Sequence, residues 1–392
     1  MKRLAVLGST GSIGTATLDV ARRFPDRFEV VALAAGRNVA LLEQQIRAFR
    51  PRMAAVAEEI DAVGLRRVFP ALQILSGDQG REAVATHPDA TTVVAALVGA
   101  LGLVPTFRAL TLGREVALAN KETLVAAGEL MMAAAAANGG AILPVDSEHN
   151  ALHQALRVGP REAVSRLILT ASGGPFRTWS REALASVTVT QALAHPTWRM
   201  GAKITVDSAT MMNKGLEIIE AHHLFGMPED RIDVIVHPES RVHSLVEYAD
   251  GTLIAQLSVN DMRFPILYAL AYPERLPSPF GSLDLVELGA LHFEPADEVR
   301  FPCLRLAREA LRTGGTVPAV LSAANEVAVS AFLEGRLAFT GISAVVEAAI
   351  EREASRGHAL AGLDDALAAD RRGRAWAEDL LSKFPPAGAG SP

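Results

Sequence analysis

The sequence predicts an α/β fold: an N-terminal Rossmann-like parallel sheet, a central α+β domain holding the candidate catalytic residues, and a small C-terminal helical domain. Three observations carry this. The apolar run Leu4–Leu7 leads straight into Gly8-Ser9-Thr10-Gly11-Ser12-Ile13-Gly14. Strand-like and helix-like stretches then alternate to about residue 145, and from Cys303 the chain turns alanine-rich and helical. Strand, glycine turn, helix and strand in that order make a βαβ unit, the building block of a parallel sheet covered by helices.

The elements follow in order. After the first strand and its glycine loop, Ile13–Phe24 has a helical pattern and Phe28–Leu33 is a second apolar strand. Residues 39–49 are helical in pattern, and Met53–Ala57 and Thr92–Val98 are further buried runs of a mostly parallel sheet. In the middle part, Leu167–Leu169 and Ile232–Val236 predict strands. Arg241–Val246 and Thr252–Ser258 predict a hairpin turning at Asp250-Gly251. Pro273, Pro277 and Pro279 interrupt periodicity as a linker would. The boundaries expected are 1–145 for a nucleotide-binding domain and 146–282 for a catalytic domain with a flap near 195–201. A linker at 283–302, a helical domain at 303–384 and a disordered tail at 385–392 complete the chain.

Composition limits the function. The 392 residues carry 38 Lys and Arg against 44 Asp and Glu, a net charge of −6, which argues against a nucleic-acid binder. One cysteine, Cys303, rules out an intrachain disulfide and a cysteine-based zinc site, and suits a reducing, cytoplasmic setting. The opening Met1-Lys2-Arg3 and its apolar run break at Gly8, too early for a secretory core. The long uncharged stretch between Asp89 and Arg108 is interrupted by glycine, threonine and proline, so no membrane span is expected.

The glycine loop is spaced GxxGxxG, not GxGxxG. Its physics is the same: without side chains, the backbone can approach a pyrophosphate at a helix N-terminus. A dinucleotide site selective for NAD places an acid after the second strand, whereas this chain has Ala34-Ala35-Gly36-Arg37-Asn38. A cation there suits a 2′-phosphate, and so NADP over NAD.

Two acidic segments suggest a metal. In extended backbone Asp146 and Glu148 of Pro144-Val145-Asp146-Ser147-Glu148 would share a face, where a cation between them would relieve their repulsion. In Asp207-Ser208-Ala209-Thr210-Met211-Met212-Asn213-Lys214-Gly215-Leu216-Glu217, Ser208 is placed to cap a helix. Asn213 and Glu217 fall on one helical face beside Lys214, with Met211, Met212, Leu216 and Ile219 facing a core. Hydroxyl, amide, ammonium and carboxylate together suit a phosphate next to an oxygen-ligated cation.

At these residues the chain closely resembles the 1-deoxy-D-xylulose 5-phosphate reductoisomerase family. The matching segments are GSTGSIG at 8–14, AGRN at 35–38, LANKE at 118–122, LPVDSEHNA at 143–151 and SGGPFR at 172–177. HPTWRMG at 195–201, DSATMMNKGLE at 207–217, HPES at 237–240 and AANEVAV at 323–329 extend it over nearly the whole chain. The resemblance implies NADPH- and divalent-metal-dependent conversion of 1-deoxy-D-xylulose 5-phosphate to 2-C-methyl-D-erythritol 4-phosphate, the committed step of the non-mevalonate isoprenoid route. It implies metal ligation by Asp146, Glu148 and Glu217, with magnesium or manganese, or cobalt, as the ion. Substrate contacts would come from Lys121, Ser147, Glu148, Ser172, His195, Trp198, Ser208, Asn213, Lys214 and Glu217, the phosphate falling to Ser172, Ser208, Asn213 and Lys214. NADPH contacts would come from Thr10, Gly11, Ser12, Ile13, Gly36, Arg37, Asn38, Asn120, Glu122 and Gly201. Lys121 and Glu148 are the proton-transfer candidates, and a homodimer is the implied assembly. The family's rearrangement is described as retro-aldol and aldol steps; the sequence is equally compatible with an α-ketol shift.

Other residues have plainer expectations. Trp198, between Pro196 and Gly201, is either a lid or a core anchor, and the resemblance favours the lid. His222 and His223 are expected on a solvated surface, His237 and His243 in packing or at sheet edges, and Cys303 as a buried small hydrophobe. Asn325 and Glu326 are expected to cap or pair within the C-terminal helices. A semialdehyde dehydrogenase would need a nucleophilic cysteine inside a site motif, and Cys303 lies outside all of them. A non-catalytic NADP sensor would have no use for Asp146, Glu148 and Glu217.

Overall fold

Short strands alternate with helices through the first 144 residues of the computed structural model, which describes residues 1–198, 200–356 and 359–384. They are β1 (Lys2–Leu7), α1 (Ser12–Arg23), β2 (Phe28–Ala34), α2 (Val39–Phe49), β3 (Met53–Val56), α3 (Glu59–Val68), β4 (Gln73–Ser76), α4 (Gly77–Ala85), β5 (Thr92–Ala95), α5 (Leu103–Thr111), β6 (Glu115–Leu118), α6 (Glu122–Asn138) and β7 (Ala141–Pro144). All seven strands join one sheet in the order β4-β3-β2-β1-β5-β6-β7, every pairing parallel. The order reverses between β1 and β5, and such a switch point opens a crevice beyond the strand ends where open α/β sheets bind ligands. The glycine loop follows β1 at that crevice.

The middle of the chain builds α7 (Ser147–Ala155), β8 (Val164–Ala171), α8 (Arg181–Leu184), α9 (Val189–Ala192), α10 (Ala202–Ala209), α11 (Met212–Phe225), β9 (Ile232–Val236), β10 (Val242–Tyr248) and β11 (Leu253–Leu257). The hairpin between β10 and β11 turns at Asp250-Gly251 as the sequence predicts: Gly251 takes φ 81°, and Asp250 accepts from the Thr252 amide at 2.9 Å. Next come α12 (Arg263–Ala271), α13 (Leu285–Leu288) and β12 (Glu294–Pro295), then the helical region α14 (Pro302–Thr313), α15 (Val317–Leu333), α16 (Gly341–Ala354) and α17 (Leu363–Leu381). The second sheet is mixed, with order β11-β10-β8-β9-β12.

Two units emerge. The first holds Met1–Thr123, Glu129–Asn150 and Asp261–Gly281; the second holds Leu124–Gly128, Ala151–Asn260 and the chain from Ser282 onward. Helix α12, which precedes the prolines at 273, 277 and 279, belongs to the first unit, where Ile266, Leu267 and Leu270 pack in one core with Leu4, Val6, Leu18 and Leu42. Burying each such side chain contributes about 1.5–3 kcal/mol. The C-terminal helices belong to the same unit as the central sheet, with α14 packed on α11 and α15 on α10. Arg199 and the tail 385–392 lie outside the described residues. Among those described, no helix is long and apolar enough to cross a membrane.

Gly14 shows why the glycine loop needs its glycines. A Cβ there would lie 2.2 Å from the Gly8 carbonyl oxygen and 2.5 Å from the Ser9 Cα, both backbone atoms that cannot swing aside. Gly14→Ala should therefore displace the start of α1 and destabilise the first unit by about 1–3 kcal/mol, read as a lowered thermal unfolding midpoint.

Candidate active site

In the first unit, the loop after β1 delivers Thr10 and Gly11 to the start of α1, where Ser12 and Ile13 follow. No side chain caps this helix, and its first turn carries no acid, so its amides and positive dipole end are available to an anion. Gly36 and Arg37 are exposed just beyond β2. Asn38 caps α2, accepting from the Leu41 amide at 3.2 Å, so its side chain already serves the fold. Asn120 is buried after β6. Its amide donates to Glu122 at 2.8 Å, and its carbonyl oxygen accepts from Thr123.

Lys121 follows, 6% exposed, with its Nζ 2.5 Å from Asp146 Oδ2. An ammonium so close orients one oxygen of the carboxylate. Asp146 leaves β7, but Glu148 lies in the first turn of α7, with Ser147 donating to it. The expectation that Asp146 and Glu148 share a face of extended backbone is thus corrected: the chain turns into a helix between them. Sequence reasoning passed over two neighbours. His149 is fully buried, with Nδ1 4.0 Å from Asp146 Oδ2. Asn150 donates to the carbonyls of Pro144 at 2.8 Å and Pro265 at 3.2 Å, tying the acidic segment to α12.

In the second unit, β8 ends in Ser172-Gly173-Gly174. Both glycines have positive φ, and a Cβ on Gly174 would lie 2.7 Å from the Ser208 carbonyl oxygen, so this turn can rest on α10 only with glycine there. His195 connects the two elements. Its Nε2 is 3.0 Å from Ser172 Oγ and 3.1 Å from Ser208 Oγ. Its Nδ1 accepts from the backbone amides of Thr197 at 3.2 Å and Trp198 at 3.0 Å. Two amides aimed at Nδ1 require a lone pair there, which places the proton of the neutral ring on Nε2. Trp198 is half-buried, and Gly201 starts α10.

The expectation that Ser208 caps a helix fails. It lies inside α10, and the break before α11 falls at Met211, held at φ 62°. The spacing argument for α11 holds: Asn213 donates to Glu217 Oε1 at 2.6 Å, and Lys214 pairs with Oε2. Glu217 is fully buried, as are Met212 and Ile219, with Met211 and Leu216 nearly so. Each oxygen of this carboxylate has a donor, which fixes its plane.

The remaining residues divide. His222 and His223 are half-buried, not solvated. His222 Nδ1 meets the Met227 carbonyl at 2.7 Å, and the His223 ring packs so near Gly128 that burial, with His222 adding, pushes its pKa down to about 4. His237 and His243 are packing residues, buried at 0% and 5% exposure. Cys303 is buried, and burial pushes its thiol up to about 12, which disqualifies it as a nucleophile. Glu326 pairs with Arg374 inside the helical region, but Asn325 reaches outside it to Asp207 of α10 at 2.7 Å.

Comparison with known proteins identifies one family across the chain. Residues 4–128 match the family description 1-deoxy-D-xylulose 5-phosphate reductoisomerase, residues 142–225 its C-terminal domain, and residues 257–376 the DXP reductoisomerase C-terminal domain. The chain is 55% identical over 391 residues to the 1-deoxy-D-xylulose 5-phosphate reductoisomerase of Anaeromyxobacter sp. (strain K), covering 100% of each. It is 52% identical to that of Rhodospirillum centenum, covering 100% of this chain and 96% of the other. Among solved structures, a DOX-P reductoisomerase in complex with NADPH, fosmidomycin and magnesium superposes with a TM-score of 0.93 at 41% identity, covering 97% of this chain and 98% of that one. The Zymomonas mobilis enzyme in complex with NADPH gives 0.91 at 42%, covering 98% and 100%.

The His195 geometry sets a pH dependence. Burial holds its pKa below the usual 6.5, and protonating Nδ1 would set a proton against two amide donors. The unfolded chain binds that proton more readily, so the stability these contacts add is complete above about 6.5 and is lost as pH falls through the lowered folded value. Nitrogen NMR shifts of the labelled imidazole should show the Nε2–H tautomer at pH 7.5 and titration below 6.5. An Nδ1–H ring, or titration above that value, would contradict the arrangement.

Proposed function

The chain belongs to the 1-deoxy-D-xylulose 5-phosphate reductoisomerase family, and from that premise we propose how its own residues carry out the reaction: Asp146, Glu148 and Glu217 would hold one divalent cation, with the substrate bound at it. The protein is an NADPH-dependent oxidoreductase that isomerises and reduces 1-deoxy-D-xylulose 5-phosphate to 2-C-methyl-D-erythritol 4-phosphate. The observation that carries the site reading is the treatment of its carboxylates. Asp146 is paired with Lys121, and Glu217 with Asn213 and Lys214, so each is oriented before any ligand arrives. All-oxygen donors of this kind suit magnesium, and equally manganese or cobalt.

The first unit fits NADPH. The uncapped start of α1 receives the pyrophosphate at Thr10, Gly11, Ser12 and Ile13, while exposed Gly36 and Arg37 receive the 2′-phosphate. Asn38 contributes through its backbone, because its side chain caps α2. The family resemblance adds Asn120, Glu122 and Gly201 as further NADPH contacts. When bound, the cation supplies Lewis acidity at the substrate oxygens and NADPH supplies hydride.

The chain's own residues do the rest. Ser172, Ser208, Asn213 and Lys214 bind the phosphate. With His195 donating from Nε2, the serine hydroxyls remain free to direct their protons at phosphate oxygens. Trp198, on the loop that His195 holds, covers the substrate and excludes water. Ser147 and Glu148 face the substrate hydroxyls, and Glu148 or Lys121 Nζ moves the proton. We place the enzyme in a reducing, cytoplasmic setting as a homodimer, with the partly exposed edge strand β11 as the pairing surface.

The direct test follows NADPH oxidation with 1-deoxy-D-xylulose 5-phosphate, with and without magnesium or manganese. Activity should vanish on chelation and return with either ion. Asp146→Asn and Glu217→Gln should each lower turnover at least about a hundredfold with little change in NADPH affinity; unchanged turnover would remove those residues from the metal site. For Arg37→Ala, NADPH binding should weaken far more than NADH binding, and equal losses would take Arg37 away from the 2′-phosphate.

A further inference from the structure

Asp207 immediately precedes Ser208 in α10 and is only 1% exposed. Its Oδ2 receives Lys203 Nζ at 2.9 Å from one turn earlier, and its Oδ1 receives the Asn325 amide at 2.7 Å from the middle of α15. Asn325 is fully buried, and among the described residues its side-chain oxygen has no hydrogen-bond partner. Residues 207 and 208 point about 100° apart around the helix axis. Whatever fixes the direction of Asp207 therefore fixes that of Ser208.

We propose that Asn325 is a positioning residue for the phosphate end of the substrate: by holding Asp207 it sets the rotation of α10 and so aims the Ser208 hydroxyl. Helix α10 has only eight residues and no side-chain cap at its start. The Gly174 turn and His195 touch its Ser208 end, and the Asn325 amide holds the side chain of the preceding residue, Asp207. Asn325 lies on a 17-residue helix whose residues are almost all buried, and it supplies the external anchor. Binding groups must sit within about 0.5 Å and 10–20° of their productive geometry, and the direction of this one bond sets that tolerance for Ser208.

The inference rests on reading Ser208 as a phosphate contact, and the test separates the two. Steady-state kinetics of the full chain with NADPH and magnesium compare Asn325→Ala, Ser208→Ala and the exchange Asp207→Asn with Asn325→Asp, with inorganic phosphate as a competing probe. Asn325→Ala should raise both the KM for 1-deoxy-D-xylulose 5-phosphate and the inhibition constant of phosphate about tenfold, leaving the KM for NADPH within about twofold. The exchange restores an amide–carboxylate bond and should recover at least half of that loss on a logarithmic scale. A merely structural role would lower the unfolding midpoint while leaving phosphate inhibition unchanged, and that result, or an exchange no better than its single variants, overturns the proposal. If Ser208→Ala shifts both constants and Asn325→Ala shifts neither, the positioning role alone is lost. If Ser208→Ala shifts neither, the phosphate reading falls and this inference falls with it. Should Asn325→Ala fail to fold, Asn325→Ser is scored the same way, with a smaller shift in the same direction expected.

Discussion

A carboxylate withdrawn from water keeps its charge only when donors are withdrawn with it, and this constraint shapes the chemistry-bearing parts of the chain. Asp146 has Lys121, Glu217 has Asn213 and Lys214, and Asp207 has Lys203 and Asn325. Removing a single partner from such a buried pair typically costs about 3–5 kcal/mol, because an uncompensated charge is left behind. The donors also fix direction. An ion-paired carboxylate presents its remaining lone pairs along a set line, which suits a cation ligand better than a freely rotating side chain does.

The group of Ser172, His195 and Ser208 follows a different rule, in which neutral hydroxyls are aimed by one imidazole. Backbone amides of Thr197 and Trp198 fix the His195 tautomer, and the tautomer fixes which partner donates to Ser172 and Ser208. The loop carrying Trp198 is thereby coupled to the two serines through one imidazole. On the proposed reading of these residues, loop closure and phosphate binding would share one hinge.

Much of this was legible in the sequence, and the omissions have physical reasons. The glycine loop and its flanking strand and helix were readable because Leu4–Leu7 and Phe28–Leu33 are unmistakably apolar. β4, β6 and β7 escaped because four residues such as Gln73–Ser76 or Glu115–Leu118 are too few to show a period. The four-residue spacing of Asn213 and Glu217 translated directly into a hydrogen bond, since helical geometry fixes it. Asp146 and Glu148 misled in conformation, because period-two reasoning assumes the strand continues, and α7 begins between them. Ser208 misled because Ser and Thr favour caps, yet the helix break came three residues later at Met211, where tertiary packing holds a left-handed residue. His195 Nε2 contacts and the Asn325–Asp207 bond join residues 13 to 118 positions apart, a separation no local pattern encodes.

The C-terminal helices gain a purpose from these facts. A bundle of alanine-rich helices downstream of every catalytic motif would ordinarily be read as a structural appendage, and Asn325 was expected to look inward. Instead α14 packs along α11, which carries Glu217 and Lys214, and α15 sends its one fully buried amide into α10, beside Ser208. Short helices bearing functional groups cannot hold a sub-ångström geometry through their own hydrogen bonds, because their end residues make too few. A long, buried neighbour supplies the rigidity they lack, and a polar contact converts rigidity into aim, since apolar packing alone lets a helix slip about its axis. A buried amide is costly unless it is hydrogen-bonded, and the partner of Asn325 lies on a neighbouring element, α10.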